Sequence, residues 1–425
     1  MNLSVEQLAK RLETALGADA VSAAASGSAA SRAIEGKLPE IVCRPQSAEQ
    51  IAAALRLCTE AEVAVIPWGG GTAMAIGNPP RQAGVVIELG KLNRVIEHDH
   101  ANLTATVQSG ITLSALQTSL APQMQFAPLD APLPERATVG GTVAANLNGP
   151  RRSYYGSVRD LVIGMKVVFA AGEQIKAGGK VVKNVAGYDM CKLFVGSLGT
   201  LGIITEVTLR MSPIPESAAT VIASATLAQA ERFTDELSRS QLLPAAVFLS
   251  NDGDTEQWRL AVWCEGFEET VARHLRDLDD IAARVGMNTA PLRGGTHNEF
   301  WERLRDFPLQ PGCLIYRVTL PRAKIFDFTR RVQNWAGVKL IGDVGAGTVW
   351  LALSAHRSGL EKFVELIEVA RQQHGHAVVF AAPAVLKQGV EVWGPSPATI
   401  SLQREIKRQF DPKGLLNPGR FLAGL

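Results

Sequence analysis

The run IPWGGGTAM, residues 66–74, takes an apolar strand straight into three successive glycines. Glycine inside a regular element costs about 0.5–1 kcal/mol relative to alanine. Something must therefore approach the main chain at Gly69, Gly70 and Gly71 too closely for a side chain. The run does not fit Gly-x-Gly-x-x-Gly, because Met74 stands where the third glycine belongs. No Gly-x-x-x-x-Gly-Lys-Ser/Thr occurs either, and GGKVV at 178–182 lacks both spacing and hydroxyl. Two readings remain for the run alone: a tight surface turn, or a nest of glycine amides plus the Thr72 hydroxyl that binds an anion.

Two further clusters bear on that choice. ERATVGGTVAANLNGPRRSYYGSVRDLV places Gly140, Gly141 and Thr142 at a short helix, followed by Asn146 and Gly156. KNVAGYDMCKLFVGSLGTLGIITEVTLRMSP sets Gly187, Gly196, Gly199 and Gly202 among hydroxyl residues before a strand. Three glycine–hydroxyl loops in one region suit a long ligand with a diphosphate and flat rings. Unusual turns explain any one of them, and explain all three together poorly.

Patterning sets the frame. Between Ile41 and Pro213, short β-branched strands alternate with helices, including one opened by Ser47 and Gln50 spaced as a capping box. SPIPES at 212–217 breaks the pattern. Strand–helix–strand–strand–helix–strand then occurs twice up to about Pro383, the order of a ferredoxin-like unit, without residue identity between the copies. The expected organisation is an N-terminal helical segment 1–40, a ligand-binding domain 41–215, a duplicated cap 216–390 and a C-terminal return 391–425. The fold class is α+β.

Composition excludes several functions. With 43 basic and 41 acidic side chains, no global charge draws nucleic acid. Five scattered cysteines with no Cys-x-x-Cys pair argue against zinc, an iron–sulfur cluster or a disulfide framework, and for a reducing compartment. The N-terminus reads as an amphipathic helix capped by Ser4 and Gln7, without the apolar core of a signal peptide. No apolar run approaches the ~20 residues of a membrane span. A cytoplasmic protein is expected.

The motifs PWGGGTAM, ATVGGTVAAN, YGSVRDLVIGMKVV, GYDMCKLFVGSLGTLGIITEVTL and FDPKGLLNPGRF resemble the FAD-binding oxidoreductases of the vanillyl-alcohol oxidase or p-cresol methylhydroxylase type. The resemblance covers 41–213 and the tail in sequence, and the middle domain in architecture. It implies a two-part FAD-binding domain with a cap. The short cap, GPRR and LNPGRF are most similar to the FAD-binding subunits of glycolate oxidases. These act on a small 2-hydroxy acid beside a second flavin subunit and an iron–sulfur subunit, peripheral to the inner membrane. The resemblance further implies that Gly69, Gly70, Gly71 and Thr72 bind the pyrophosphate through backbone amides, with Pro67 stiffening the entry to the loop and Trp68 and Ala73 also at the cofactor. Thr138, Gly140, Gly141 and Thr142 form a second wall, and Asn146, Gly156 and Arg159 lie toward the flavin. Gly187, Gly196, Thr200, Gly202 and Ile203 run along the adenosine end, and Asn417 and Arg420 return to the flavin edge.

Departures from the family matter as much. Where many relatives attach FAD through histidine or cysteine, this loop has Trp68 and Met74, so non-covalent FAD is expected. The metal-binding or basic His-x-Gly-Asp-Gly-Asn-x-His segment of related acid dehydrogenases is replaced by HGHAVVFAAPAVL. His374 and His376 alone do not make a metal site, and no metal is expected. No catalytic residue is assigned. The alternatives are a subunit active only in its complex, a stand-alone 2-hydroxy-acid dehydrogenase, and a non-catalytic FAD-binding subunit. THNEFWERLRDF at 296–307 either faces a carboxylate through Arg303 and Arg305, or is a solvated helix burying Phe300, Trp301 and Leu304. His98 and His100 read as turn residues, and Lys180 and Lys183 as a charged hairpin or as charges near the flavin.

Overall fold

The computed structural model describes residues 4–23, 30–179, 189–251 and 257–425. Gly187, with Lys180 and Lys183, lies outside them. The chain divides into two compact units. One holds the residues up to Asn148, Val158–Pro213 and Lys387–Leu425, and the other holds Gly149–Ser157 and Ile214–Leu386. The segment 149–157, which the sequence leaves inside the 41–215 zone, belongs to the second unit. Arg151 and Tyr155 are held there by the Glu265 carboxylate.

Among the described residues, the first unit has two larger sheets and a two-stranded pair of Gln125–Phe126 with Ser212–Pro213. In one, Ile41–Cys43, Val85–Glu88 and Val65–Trp68 run parallel, with Val21–Ala23 antiparallel at the edge. Helices Val5–Leu16 and Ala48–Ala61 cover it. The first helix begins as expected: Ser4 Oγ accepts from Gln7 N, and Gln7 Oε1 accepts from Ser4 N. Its Leu8, Leu12 and Leu16 form one buried stripe, each contributing about 1.5–3 kcal/mol. The second helix keeps half of its capping box. Ser47 Oγ accepts from Gln50 N, but the Gln50 side chain reaches back to Gln46 N instead. The other sheet is antiparallel, in the order Val95–Asp99, Thr104–Gln108, Ile203–Arg210, Val162–Val168, Gln174–Gly178.

The tail returns to the parallel sheet. Val65 N donates to Leu415 O and Asn417 N donates to Val65 O, so Leu416 continues the sheet beside the strand that feeds the three glycines. The buried Lys407, on helix Ile400–Phe410, fixes this return by donating to Asp411, Leu416 O and Thr200 O.

The second unit is one eight-stranded sheet, antiparallel throughout. Its first half orders the strands Thr289–Arg293, Ser217–Ala225, Trp258–Gly266, Ala246–Asn251. The second continues Lys339–Asp343, Thr348–Ser354, Cys313–Thr319, His376–Ala381. In each half's own numbering the order is 4-1-3-2 followed by 2-3-1-4, two βαββαβ units joined through their second strands. The duplicated architecture expected from element order is therefore present. Helices such as Glu268–Arg284 and Arg357–Gln372 pack on one face, where Tyr316 stacks on Phe363. The helix Gly294–Asp306 connects the halves. Among the described residues, no helix is long and apolar enough to cross a membrane.

Candidate functional site

In the first unit, what stands against the glycines is another part of the chain. A Cβ on Gly70 would lie 1.6 Å from Arg136 O, and one on Gly69 would lie 2.3 Å from Thr138 Oγ1. Gly71 has φ +74°, with the Trp68 ring 2.7 Å from its hypothetical Cβ. The expectation that a ligand alone excludes side chains here is thus corrected. The first glycine loop is pressed onto the segment that opens the second. Thr138 caps helix Val139–Ala145, its Oγ accepting from Gly141 N at 3.2 Å. Gly140 is tight for the same kind of reason, its Cβ position 2.6 Å from Ser109 Cβ.

The two loops and the tail line an open cleft of about 480 Å³, counting the solvent at its mouth. Of the expected residues, Pro67, Gly69, Gly70, Gly71, Thr72, Ala73, Thr138, Gly141, Asn417 and Arg420 line it, joined by Met74, Ala144, Ala145 and Leu198. Trp68, Gly140, Thr142, Asn146, Gly196, Thr200, Gly202, Ile203, Gly156 and Arg159 are not in this lining. Trp68 is buried beneath the loop, below the Arg32 guanidinium. Thr200 is tied internally, its hydroxyl to Ser197 O and its carbonyl to Lys407. Gly202 admits Val167, 2.5 Å from its Cβ position, and Ile203 is core. Asn146 is the left-handed C-cap of helix Val139–Ala145, with Gly196 packed on its Cβ. Arg159 is exposed. Gly156 ends the helix Arg152–Tyr155 in the second unit, with φ +98°.

Behind the loop is an arrangement that sequence reasoning missed. Four successive carbonyls are held alternately by two buried cations. Arg420 Nη2 donates to Met74 O and Ile76 O at 2.8 and 2.6 Å. Lys387 Nζ donates to Ala75 O and, at 3.4 Å, to Gly77 O. Glu35 neutralises Lys387 at 3.0 Å, both side chains being almost wholly buried. Burial lowers the pKa of both cations, Arg420 to about 10, with Glu35 opposing the shift. Lys387 and Glu35 lie 352 positions apart and belong to no local motif; nothing short of the fold points to them.

The residues present fit a dinucleotide diphosphate. Among the described residues, Arg420 has two further buried donors, Nε and Nη1, with no acceptor, and Asn417 Oδ1 has no donor. A guanidinium already fixed by two carbonyls presents those donors without further ordering cost, and charge-assisted hydrogen bonds are the strong kind. Among the described residues, the cleft lining contains no histidine, cysteine or tyrosine.

Fold and cleft together define a flavin-binding oxidoreductase of the two-part type, and the comparisons agree. A model described as "FAD binding domain" matches residues 39–178, and one described as "FAD linked oxidases, C-terminal domain" matches 394–421. The chain belongs to this family of FAD-linked oxidoreductases, and FAD is its cofactor. It is similar to a D-lactate dehydrogenase of Anaerostipes hadrus, 41% identical over 91% of this chain and 90% of that protein. It is also similar to the glycolate oxidase subunit GlcE of Escherichia coli strain K12, 31% identical over 84% of this chain and 92% of that one. The solved structure of p-cresol methylhydroxylase with substrate bound shares the fold, with TM-score 0.74 at 17% identity over 98% of this chain and 96% of that chain.

The remaining candidates find structural places. His374 sits at a left-handed turn with φ +58°, and His376 begins a strand. Among the described residues, no three His, Cys, Asp or Glu side chains converge as a metal site would require. His98 lies in a strand and bonds Gln125 Oε1, rather than in a turn. Of helix Gly294–Asp306, Trp301 is buried as expected, and so is His297. Thr220 Oγ1 accepts the Trp301 indole N–H and is 2.7 Å from His297 Nδ1. An indole only donates, so the hydroxyl proton is free to go to Nδ1 of a neutral ring. Burial, reinforced by Arg151, lowers the His297 pKa to about 4. All five cysteines are free. Burial raises the Cys43 and Cys264 thiols to about 12, which suits packing rather than nucleophilic work.

Proposed function

We propose that the chain is the FAD-binding subunit of a 2-hydroxy-acid oxidase complex acting on glycolate, with FAD held non-covalently. The flavin part rests on one observation, the cleft whose lining joins the glycine loop to a clamped Arg420 with two donors that have no acceptor among the described residues. Loop amides and Arg420 hold the diphosphate, and Asn417 fixes the tail beside it. The lack of a nucleophilic side chain in the lining supports the non-covalent mode. When bound, FAD supplies the two-electron acceptor for oxidation of the alcohol to the oxo acid.

That oxidation also needs a base for the hydroxyl proton, and no described residue lining the cleft can take one. In this reading a second flavin subunit and an iron–sulfur subunit complete the enzyme and receive the electrons. The chain is cytoplasmic and meets the membrane only through them. The similarity to glycolate oxidase subunit GlcE over nearly its whole length supports this assignment. The higher identity to a D-lactate dehydrogenase favours a second reading, a dehydrogenase competent by itself.

One preparation tests both. The purified chain is expected to be yellow and to release its flavin on acid precipitation. Mixed anaerobically with glycolate or D-lactate, it should bleach slowly or not at all until partner subunits are added. Rapid bleaching by the chain alone selects the second reading. A folded, colourless chain that takes up no FAD removes the flavin assignment.

A further inference from the structure

Strand register in the second unit places Arg317, Trp350, Asp343, Phe248, Trp263, Thr220 and Glu265 on one face of the sheet, opposite the packed helices. Arg151 and Arg317 are both associated with this face, and they are treated very differently. Arg151 is paired with the buried Glu265 at 3.4 Å and covers the Trp263 ring. Arg317 is half-buried, and no hydrogen bond or ion pair joins it to any described residue. Its guanidinium carbon lies 6.0 Å from the Trp350 ring centre and 5.5 Å from that of Phe380. Those rings meet edge-to-face at 81°, making a corner for the cation.

Aromatic faces attract a cation, but they do not satisfy its five N–H donors. Burial lowers the Arg317 pKa to about 10, and a second positive charge, Arg152, adds to the cost. Arg152 is brought here by its own segment. Ser153 packs on the turn after Asp343, its Oγ 2.8 Å from the Cβ position of Gly345. Asp343 faces Arg152 rather than Arg317. Its Oδ1 accepts from Ala346 N at 2.9 Å within that turn, burial raises its pKa to about 7 against the opposing charge of Arg152, and it forms no ion pair among the described residues. Arg317, half-buried and without a carboxylate partner among the described residues, calls for an anion from outside the chain.

We propose that Arg317, seconded by Arg152, is a binding site for a small organic carboxylate. The flat guanidinium edge matches a carboxylate with two parallel hydrogen bonds. A planar ion pair of that kind also lies against the flat walls of Trp350 and Phe380 better than a tetrahedral anion would. This goes beyond the subunit assignment, since it gives the chain a ligand site of its own whether or not it turns substrate over.

The test uses the FAD-loaded full chain and oxalate, a carboxylate with no hydride to give. Calorimetry and tryptophan emission follow the titration, with inorganic phosphate in parallel. Oxalate should bind saturably and more tightly than phosphate. Arg317→Met should weaken it ~10-fold or more and Arg152→Gln by less, as expected for charge-assisted bonds. The flavin spectrum should stay unchanged in both variants. Should Arg317→Met fail to fold by circular dichroism, Arg317→Lys, which keeps the charge and loses the fork, should still weaken oxalate measurably. Absent saturation, tighter phosphate binding, or wild-type oxalate affinity in a folded Arg317 variant each overturns the site. Failure of the partner subunits to confer activity would overturn the subunit assignment and leave this result standing.

Discussion

The two halves of the second unit share one order of elements and mirror one another across their central strand pair, yet the same sheet face is finished differently in each. In the first half the charged and hydroxyl groups at the centre are answered, though the Trp263 indole N–H is not: Thr220 serves both His297 and Trp301, and Glu265 serves both Arg151 and Tyr155. In the second half Arg317 has two aromatic rings and, among the described residues, no oxygen partner. A duplicated backbone thus carries a closed polar core on one side and an open cationic corner on the other. Packing symmetry and chemical symmetry are separate properties. The helices and strands need only alternate apolar positions, whereas the open face is free to specialise.

The largest expected effect comes from breaking the closed half. Glu265→Ala leaves Arg151 and Tyr155 without their buried carboxylate. Losing one member of a buried pair costs about 3–5 kcal/mol, which should lower the unfolding midpoint by roughly 2–4 °C per kcal/mol in a unit of this size. An unchanged midpoint would mean that the first half is no more closed than the second. Next comes Thr220→Val, which keeps the shape and strands the Trp301 N–H and the His297 ring nitrogen. Calorimetric unfolding should show a loss of about 1–3 kcal/mol.

A pH series sharpens the same contrast. The His297 pKa, about 4 in the fold, lies below the unfolded value of about 6.5. Its contribution is therefore complete above about 6.5 and disappears as pH falls from there through about 4. Asp343 acts oppositely. Its raised pKa of about 7 gives stability present at low pH and lost as pH rises through that value. The informative quantity is thus the midpoint of the wild type minus that of His297→Gln, which should shrink between pH 7 and pH 4. A constant difference would show that the ring takes its proton without penalty.

The smallest effect belongs to the open half. Arg317→Met removes a desolvated cation that has no hydrogen-bond or ion-pair partner among the described residues, so stability should change by no more than about 0.5 kcal/mol, or rise. A loss as large as that of Glu265→Ala would show that the halves are finished alike.

Much of this was legible in sequence because local periodicity and sheet burial agree. TVWLALSA and AVVFAAP became strands Thr348–Ser354 and His376–Ala381, and Ser4 with Gln7 made the expected capping box. Ten of the expected cofactor residues line the cleft, since they sit on loops whose glycines are visible as a pattern. What those glycines are for was not legible. Gly70 is bare because Arg136 O lies against it, 66 positions away in sequence. Gln50 abandoned half its capping box for Gln46, a choice between neighbours of nearly equal energy.

The sequence by itself determined the α+β class, the duplicated cap, the glycine loops and the flavin family, because these rest on periodicity and on short motifs read within a few residues. Only the tertiary structure decided which charges are answered. Among the described residues, Lys387 meets Glu35 and the loop carbonyls, Arg420 keeps two donors free, Arg151 finds Glu265 and Arg317 finds no acid. Whether a buried cation is neutralised depends on which distant segments converge on it, and a low-dielectric interior makes that difference worth several kcal/mol.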